Sequence, residues 1–107
     1  TCSDALRVGL PVLTISGNSF VSRVATSLLN TMNLKELISK NLKEYEIFAN
    51  KIFRDSDYLN KIKLKIKKNV LESPLYDAQL FTKNLETAYE KIFKNYINNK
   101  DPRDFEI

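Results

Sequence analysis

The sequence contains no histidine. That removes the commonest general base and the commonest metal ligand, and with them Ser-His-Asp and Cys-His catalysis within this chain. Cysteine occurs once, at Cys2. An internal disulfide is therefore impossible, a reducing compartment fits, and a zinc site of ordinary type is excluded. Two glycines and three prolines are too few for a disordered linker. No apolar run approaches the roughly 18 residues of a membrane span, and no basic-then-apolar leader opens the chain. The expectation is a cytoplasmic protein with no membrane partner. An initiating Met is also missing, so the chain is expected to be a piece of something longer. Whatever chemistry it performs must use carboxylates, Lys, Arg, hydroxyls or backbone N–H groups.

What is present suits a folded domain. The 107 residues give room for one, read as a single partial domain over 1–107 with a tail at 99–107. Hydrophobic residues make up 43%, and five Tyr and six Phe supply bulk for a core. A net charge of +4 is mild. It implies solubility and a weak preference for anions, not a dedicated nucleic-acid binder.

Thr1 and Asp4 have the spacing of a capping box at the start of a short helix. Gly9 suits the left-handed position after it, and Pro11 prevents continuation. Val12, Leu13, Thr14 and Ile15 read as a short strand buried on both faces. A lone strand makes no sheet, so this one is expected to pair outside the chain or with another copy. Ser16-Gly17-Asn18-Ser19 is turn chemistry, with Asn18 or Ser19 capping the next helix. That helix carries Phe20, Val21, Val24, Ala25, Leu28, Leu29 and Met32 at helical spacing and ends near Asn33. Residues 34–38 read as one further helical turn.

Asn41 and Glu44 form a cap-like pair before a helix on Leu42, Tyr45, Phe48, Ala49, Ile52 and Phe53. Ser56 or Asp57 starts the next segment. Residues 61–67 alternate strictly, the pattern of a half-buried strand. Leu59, Ile62, Ile66 and Val70 also fit one helical face, and residues 56–72 hold neither Gly nor Pro, so a helix is predicted, with Leu64 at the edge of its apolar face. Ser73-Pro74 ends it. Asp77 caps a last helix whose stripe, Phe81, Leu85, Ala88, Tyr89, Ile92, Phe93 and Tyr96, reads as core.

These residues carry a resemblance. Thr1-Cys2-Ser3-Asp4-Ala5-Leu6, Gly9-Leu10-Pro11-Val12 and Gly17-x-x-Phe20-x-Ser22-Arg23-Val24-Ala25-x-Ser27-Leu28-Leu29 resemble the C-terminal catalytic region of O-linked N-acetylglucosamine transferases, the SPINDLY-like proteins of glycosyltransferase family 41. Glu44-Tyr45 follows the family's Glu-Tyr helix, and Ser73-Pro74-Leu75-Tyr76-Asp77 its Ser-Pro-Leu-Phe-Asp turn. Two departures stand out. Ser16 replaces a frequent Pro, and Arg7 replaces an aromatic or apolar residue.

The resemblance implies an α/β fold: the C-terminal half of a Rossmann-like GT-B lobe, mostly helical here with about one short buried strand. It implies an inverting enzyme that moves N-acetylglucosamine from a UDP-sugar, or in SPINDLY-like members fucose from a GDP donor, to protein Ser or Thr hydroxyls. No cofactor beyond the nucleotide-sugar co-substrate and no essential metal is implied. Its partners are protein acceptors, selected through upstream tetratricopeptide repeats, and the missing N-terminal part of the same domain. The isolated piece is expected to be inactive.

Site assignments follow from the same match. Thr1 is either a plain N-cap or a donor-phosphate contact at a helix start. Asp4 is either the acid of a capping box or an acceptor for ribose hydroxyls. Cys2 and Ser3 offer backbone N–H groups to phosphate. Gly17 permits a tight loop or a close ligand approach, and Arg23 serves a structural bridge or faces the cleft. The five lysines of residues 61–68 read as a solvated face. The competing functional reading takes them as the surface of a non-catalytic helical module that meets an acidic partner.

Overall fold

The structure, a computed structural model, describes residues 1–107 as two compact units, Thr1–Tyr76 and Asp77–Ile107. In the first unit the elements run α1 (Cys2–Arg7), β1 (Thr14–Ile15), α2 (Phe20–Thr31), a 3-10 turn (Lys35–Leu37), β2 (Ile38–Ser39), α3 (Leu42–Arg54), α4 (Ser56–Glu72) and a second 3-10 turn (Pro74–Tyr76).

Local chemistry sets most boundaries. Ser19 and Ser22 cap α2 reciprocally: the Ser22 N–H donates to Ser19 Oγ at 3.3 Å and the Ser19 N–H to Ser22 Oγ at 3.1 Å. Asn41 Oδ1 accepts the Glu44 N–H at 2.9 Å, while Glu44 Oε2 accepts the Lys40 N–H at 2.8 Å. α4 starts at Ser56, one of the two starts expected. Asp55 caps it by accepting the Tyr58 N–H at 2.9 Å, and the same residue ends α3.

Two ends of this unit close alike. After α1, Gly9 takes φ +84°, with Gly9 N–H on Leu6 O at 3.0 Å and Leu10 N–H on Ala5 O at 2.9 Å. After α2, Asn33 takes φ 53° and repeats the pattern through Asn30 O and Leu29 O. Both are Schellman closures, in which a left-handed residue lets the chain return its N–H groups to the last carbonyls.

The strand expectation is corrected in three ways. Residues 34–38 are not a helical turn throughout: the 3-10 turn gives way at Ile38 to β2. The lone strand finds its partner inside the chain, because β1 pairs with β2 in parallel, Thr14 opposite Ile38 and Ile15 opposite Ser39. Ser16 N–H extends the ladder to Ser39 O at 2.9 Å. Finally, β1 holds only two residues, both half-buried rather than covered on each face; Val12 and Leu13 precede it. The parallel pair is joined through α2, which makes β1–α2–β2 a small βαβ unit.

The core draws on α1, α2, the first 3-10 turn and α4: Leu6, Leu29, Met32, Leu34, Leu37, Ile62 and Ile66. Each such side chain is worth about 1.5–3 kcal/mol when withdrawn from water. Residues 61–67 are helical despite their alternation. Ile62 and Ile66 go inward and Leu64 is 67% exposed. The first turn of α2 departs from expectation, with Phe20 and Val21 each 81% exposed.

The second unit is α5 (Ala78–Ile97) and residues 98–107, which form neither helix nor strand. Asp77 Oδ1 caps α5 by accepting the Leu80 N–H at 2.9 Å. Asn99, at φ 51°, closes it with a third Schellman pattern. Lys91 Nζ lies 4.5 Å from the centre of the Phe105 ring and donates to Glu106 O at 3.0 Å. The stripe expected as core is not: α5 has no buried residue. One helix with an irregular segment has no second apolar layer to close against.

Candidate functional site

α1 is short, so its first turn carries most of its free backbone donors. The N–H groups of Cys2, Ser3 and Asp4 precede the first helical bond, which Ala5 N–H makes to Thr1 O at 3.0 Å. Thr1 stands at the N-cap without a side-chain cap bond, so the expected capping box is only half formed. The half that exists is Asp4 Oδ2, 3.1 Å from the Thr1 backbone nitrogen. The Thr1 hydroxyl and the exposed Asp4 carboxylate remain open to solvent.

Three contacts hold this turn in place. Leu6 is fully buried beneath it. Gly9 closes its far end. The Tyr76 hydroxyl, 73 residues along the chain, donates to Ser3 O at 2.6 Å. Burial pushes the Tyr76 phenol above its ordinary value; Cys2 and Asp4 push the same way and Arg7 opposes. The phenol therefore keeps its proton and acts as a donor. Burial also raises the Cys2 thiol. Cys2 is thus a packed thiol, and what it offers a ligand is its backbone N–H.

The second group lies after β1. Gly17 is needed for space and not for a left-handed φ. A Cβ there would stand 2.5 Å from Ser22 Oγ and 2.8 Å from Ser22 Cβ, so the loop lies flat against the cap of α2. Arg23 follows on the exposed side of α2 and makes neither a hydrogen bond nor an ion pair; it lines an open groove of about 290 Å³ with Phe20, Val24, Ser27 and Leu28. The structural bridge considered for Arg23 does not form in this chain. Thr1 to Asp4 form one turn and Gly17 with Arg23 flank one helix start, but no hydrogen bond or ion pair joins the two groups.

The lysine row of α4 is not a uniform charged surface. Lys65 Nζ meets Glu36 Oε1 at 2.6 Å, half-buried. Lys68 lies 3.8 Å from Glu72, and the Lys67 stem runs beside Gly9. Lys61, Lys63 and Lys67 have no charged partner, so two of the five lysines are paired within the chain. No helix is long and apolar enough to cross a membrane.

Sequence reasoning did not give Tyr76 or Ser22 the contacts that they make. The Ser22 role has a local signal, a hydroxyl three residues after another at a helix start. Tyr76 has none, because its partner is distant in the chain.

Comparison with known proteins falls on these same residues. Residues 1–85 match Glycosyl transferase family 41. A protein of Petunia hybrida named "Probable UDP-N-acetylglucosamine--peptide N-acetylglucosaminyltransferase SPINDLY" is 30% identical over 102 residues, 95% of this chain and 11% of its own length. A protein of the same name from Arabidopsis thaliana is 28% identical over the same span. The UDP-N-acetylglucosamine--peptide N-acetylglucosaminyltransferase of Caenorhabditis elegans is 31% identical over 96 residues, 90% of this chain and 8% of its own length. The chain therefore spans about a tenth of the relatives it matches. The match takes in every element from α1 to the start of α5, and with it the uncapped turn and the βαβ unit: this chain belongs to glycosyltransferase family 41.

Proposed function

We propose that this chain is the C-terminal part of the nucleotide-sugar-binding lobe of an inverting protein glycosyltransferase. The lobe is of the Rossmann-like GT-B kind. The donor is UDP-N-acetylglucosamine and the acceptors are Ser or Thr hydroxyls of proteins, selected by repeats upstream. The relatives' names, which specify this nucleotide sugar and a peptide acceptor, support the substrate classes. The parallel β1–α2–β2 unit supports the lobe.

The observation that carries the site is that the first turn of α1, whose N-cap side chain makes no cap bond, falls on Thr1-Cys2-Ser3-Asp4, residues of the resemblance that lie inside the matched span. In this reading the Thr1 hydroxyl and the N–H groups of Cys2, Ser3 and Asp4 donate to the diphosphate. The positive end of the helix favours the same charge. As the sugar–phosphate bond breaks, negative charge grows on the departing nucleotide. With no essential metal expected, fixed donors of this kind stabilise it without having to reorganise. The Asp4 carboxylate accepts from ribose hydroxyls. Gly17 and Arg23 flank the cleft side of α2.

The test is titration of UDP and GDP into the full-length protein by calorimetry, with Asp4→Asn and Thr1→Val variants. UDP is expected to bind in preference to GDP, and each variant to weaken it about tenfold, one charged or phosphate-directed hydrogen bond's worth. Unchanged UDP affinity in both variants would remove α1 from the site.

A further inference from the structure

We infer that Tyr76 is a positioning residue for the nucleotide, acting through the peptide group between Ser3 and Asp4. The inference rests on the reading of α1 as the diphosphate-binding turn.

The geometry is specific. Ser3 O, which accepts the Tyr76 hydroxyl at 2.6 Å, and the Asp4 N–H are the two ends of one planar peptide unit. Fixing the carbonyl end fixes the direction of the N–H end. A hydrogen bond to a carbonyl also polarises its amide, which makes the N–H of that unit a stronger donor. The Asp4 N–H is one of the three groups in the turn without a helical partner. Tyr76 therefore aims and strengthens a donor that faces ligand.

The hydroxyl is itself held from behind. Ser73 ends α4 and Pro74 starts the 3-10 turn that carries Tyr76. Leu75 and Tyr76 both pack against the buried core. This is the one side-chain hydrogen bond that reaches α1 from another element, and α1 has only six residues. So short a helix has little stability of its own. The ring's packing needs no hydroxyl, and the resembled family's turn carries Phe at this place. The hydroxyl is thus a separable addition whose effect shows in ligand binding and not in folding.

The experiment uses the full-length protein as wild type, Tyr76→Phe and Asp4→Ala. UDP dissociation constants are measured by calorimetry, and the thermal midpoint of the nucleotide-free protein is measured beside them. Tyr76→Phe is expected to weaken UDP about three- to tenfold, the range of one hydrogen bond. The nucleotide-free midpoint is expected to move by no more than about 2 °C. Asp4→Ala is expected to weaken UDP more strongly. Unchanged UDP affinity in Tyr76→Phe beside a weakened Asp4→Ala overturns the positioning role alone. Unchanged affinity in both overturns the reading of α1 as the site. A fall in midpoint large enough to account for the lost affinity makes Tyr76 merely structural and also overturns the inference.

Discussion

Replacing Gly17 by Ala places a methyl group where Ser22 already stands. The new Cβ would meet Ser22 Oγ at 2.5 Å and Ser22 Cβ at 2.8 Å, both closer than real carbon contacts allow. Relief requires Ser22 to rotate or the loop to lift. Either movement breaks the reciprocal cap in which Ser22 Oγ accepts the Ser19 N–H at 3.1 Å and donates to Ser19 O at 2.9 Å. A helix cap is worth about 0.5–2 kcal/mol, and overpacking adds about 1–3 kcal/mol. The two costs overlap, since the movement that relieves the clash is the one that breaks the cap, so about 2–3 kcal/mol of destabilisation is expected. A double-mutant cycle isolates the clash. Ser22→Gly removes both the Oγ and the Cβ, and in that background Gly17→Ala should cost about 1 kcal/mol less or better. The measurement is urea denaturation followed by far-ultraviolet circular dichroism on all four proteins. Costs that add within about 0.5 kcal/mol would refute the contact as the reason for glycine here.

Two further outcomes follow from packing and titration. Ile66→Ala, at a fully buried position shared by α4 and the core, should cost about 2–5 kcal/mol in the same denaturation assay, whereas Leu64→Ala, on the exposed side, should stay within about 0.5 kcal/mol. Burial raises both the Cys2 thiol and the Tyr76 phenol, so folding favours their protonated forms. The stabilising contribution is complete below their unfolded values and is lost as pH climbs through the folded ones. Stability should therefore fall as pH rises above about 8, and a Cys2→Ala/Tyr76→Phe double variant should flatten that slope in denaturation curves taken across about six pH values.

The helices were legible because each has a local start signal and a repeating face. Ser19, Asn41 and Asp77 each lie at a boundary that the structure keeps, and Gly9 and Asn33 end helices as their backbone freedom suggests. α4 shows how two periodicities can share one stretch. Alternation at residues 61–67 was real but idle, because Ile62 and Ile66 were both in register with the helical face. β2 left no such trace. Two residues carry no period, and what makes Ile38 and Ser39 a strand is the edge of β1 twenty-four positions earlier. The α5 stripe misled for the converse reason: a periodic face states what a helix could cover, not what its own unit supplies. At the candidate site, Thr1 and Asp4, the residues proposed to meet ligand, stood in a readable pattern. Tyr76, which holds them, did not, because a contact made across the fold has no spacing to find.

The junction at Asp55 bears on how this chain can vary in length. One residue ends α3 and begins α4, so the two helices are joined with no slack. Adding a residue to either helix there would turn α4 by about 100° about its axis. That rotation would carry Ile62 and Ile66 away from Leu6 and Leu29 and bring lysines into their place. Insertions and deletions among related chains should therefore avoid this point and gather where the backbone is irregular, as in residues 98–107.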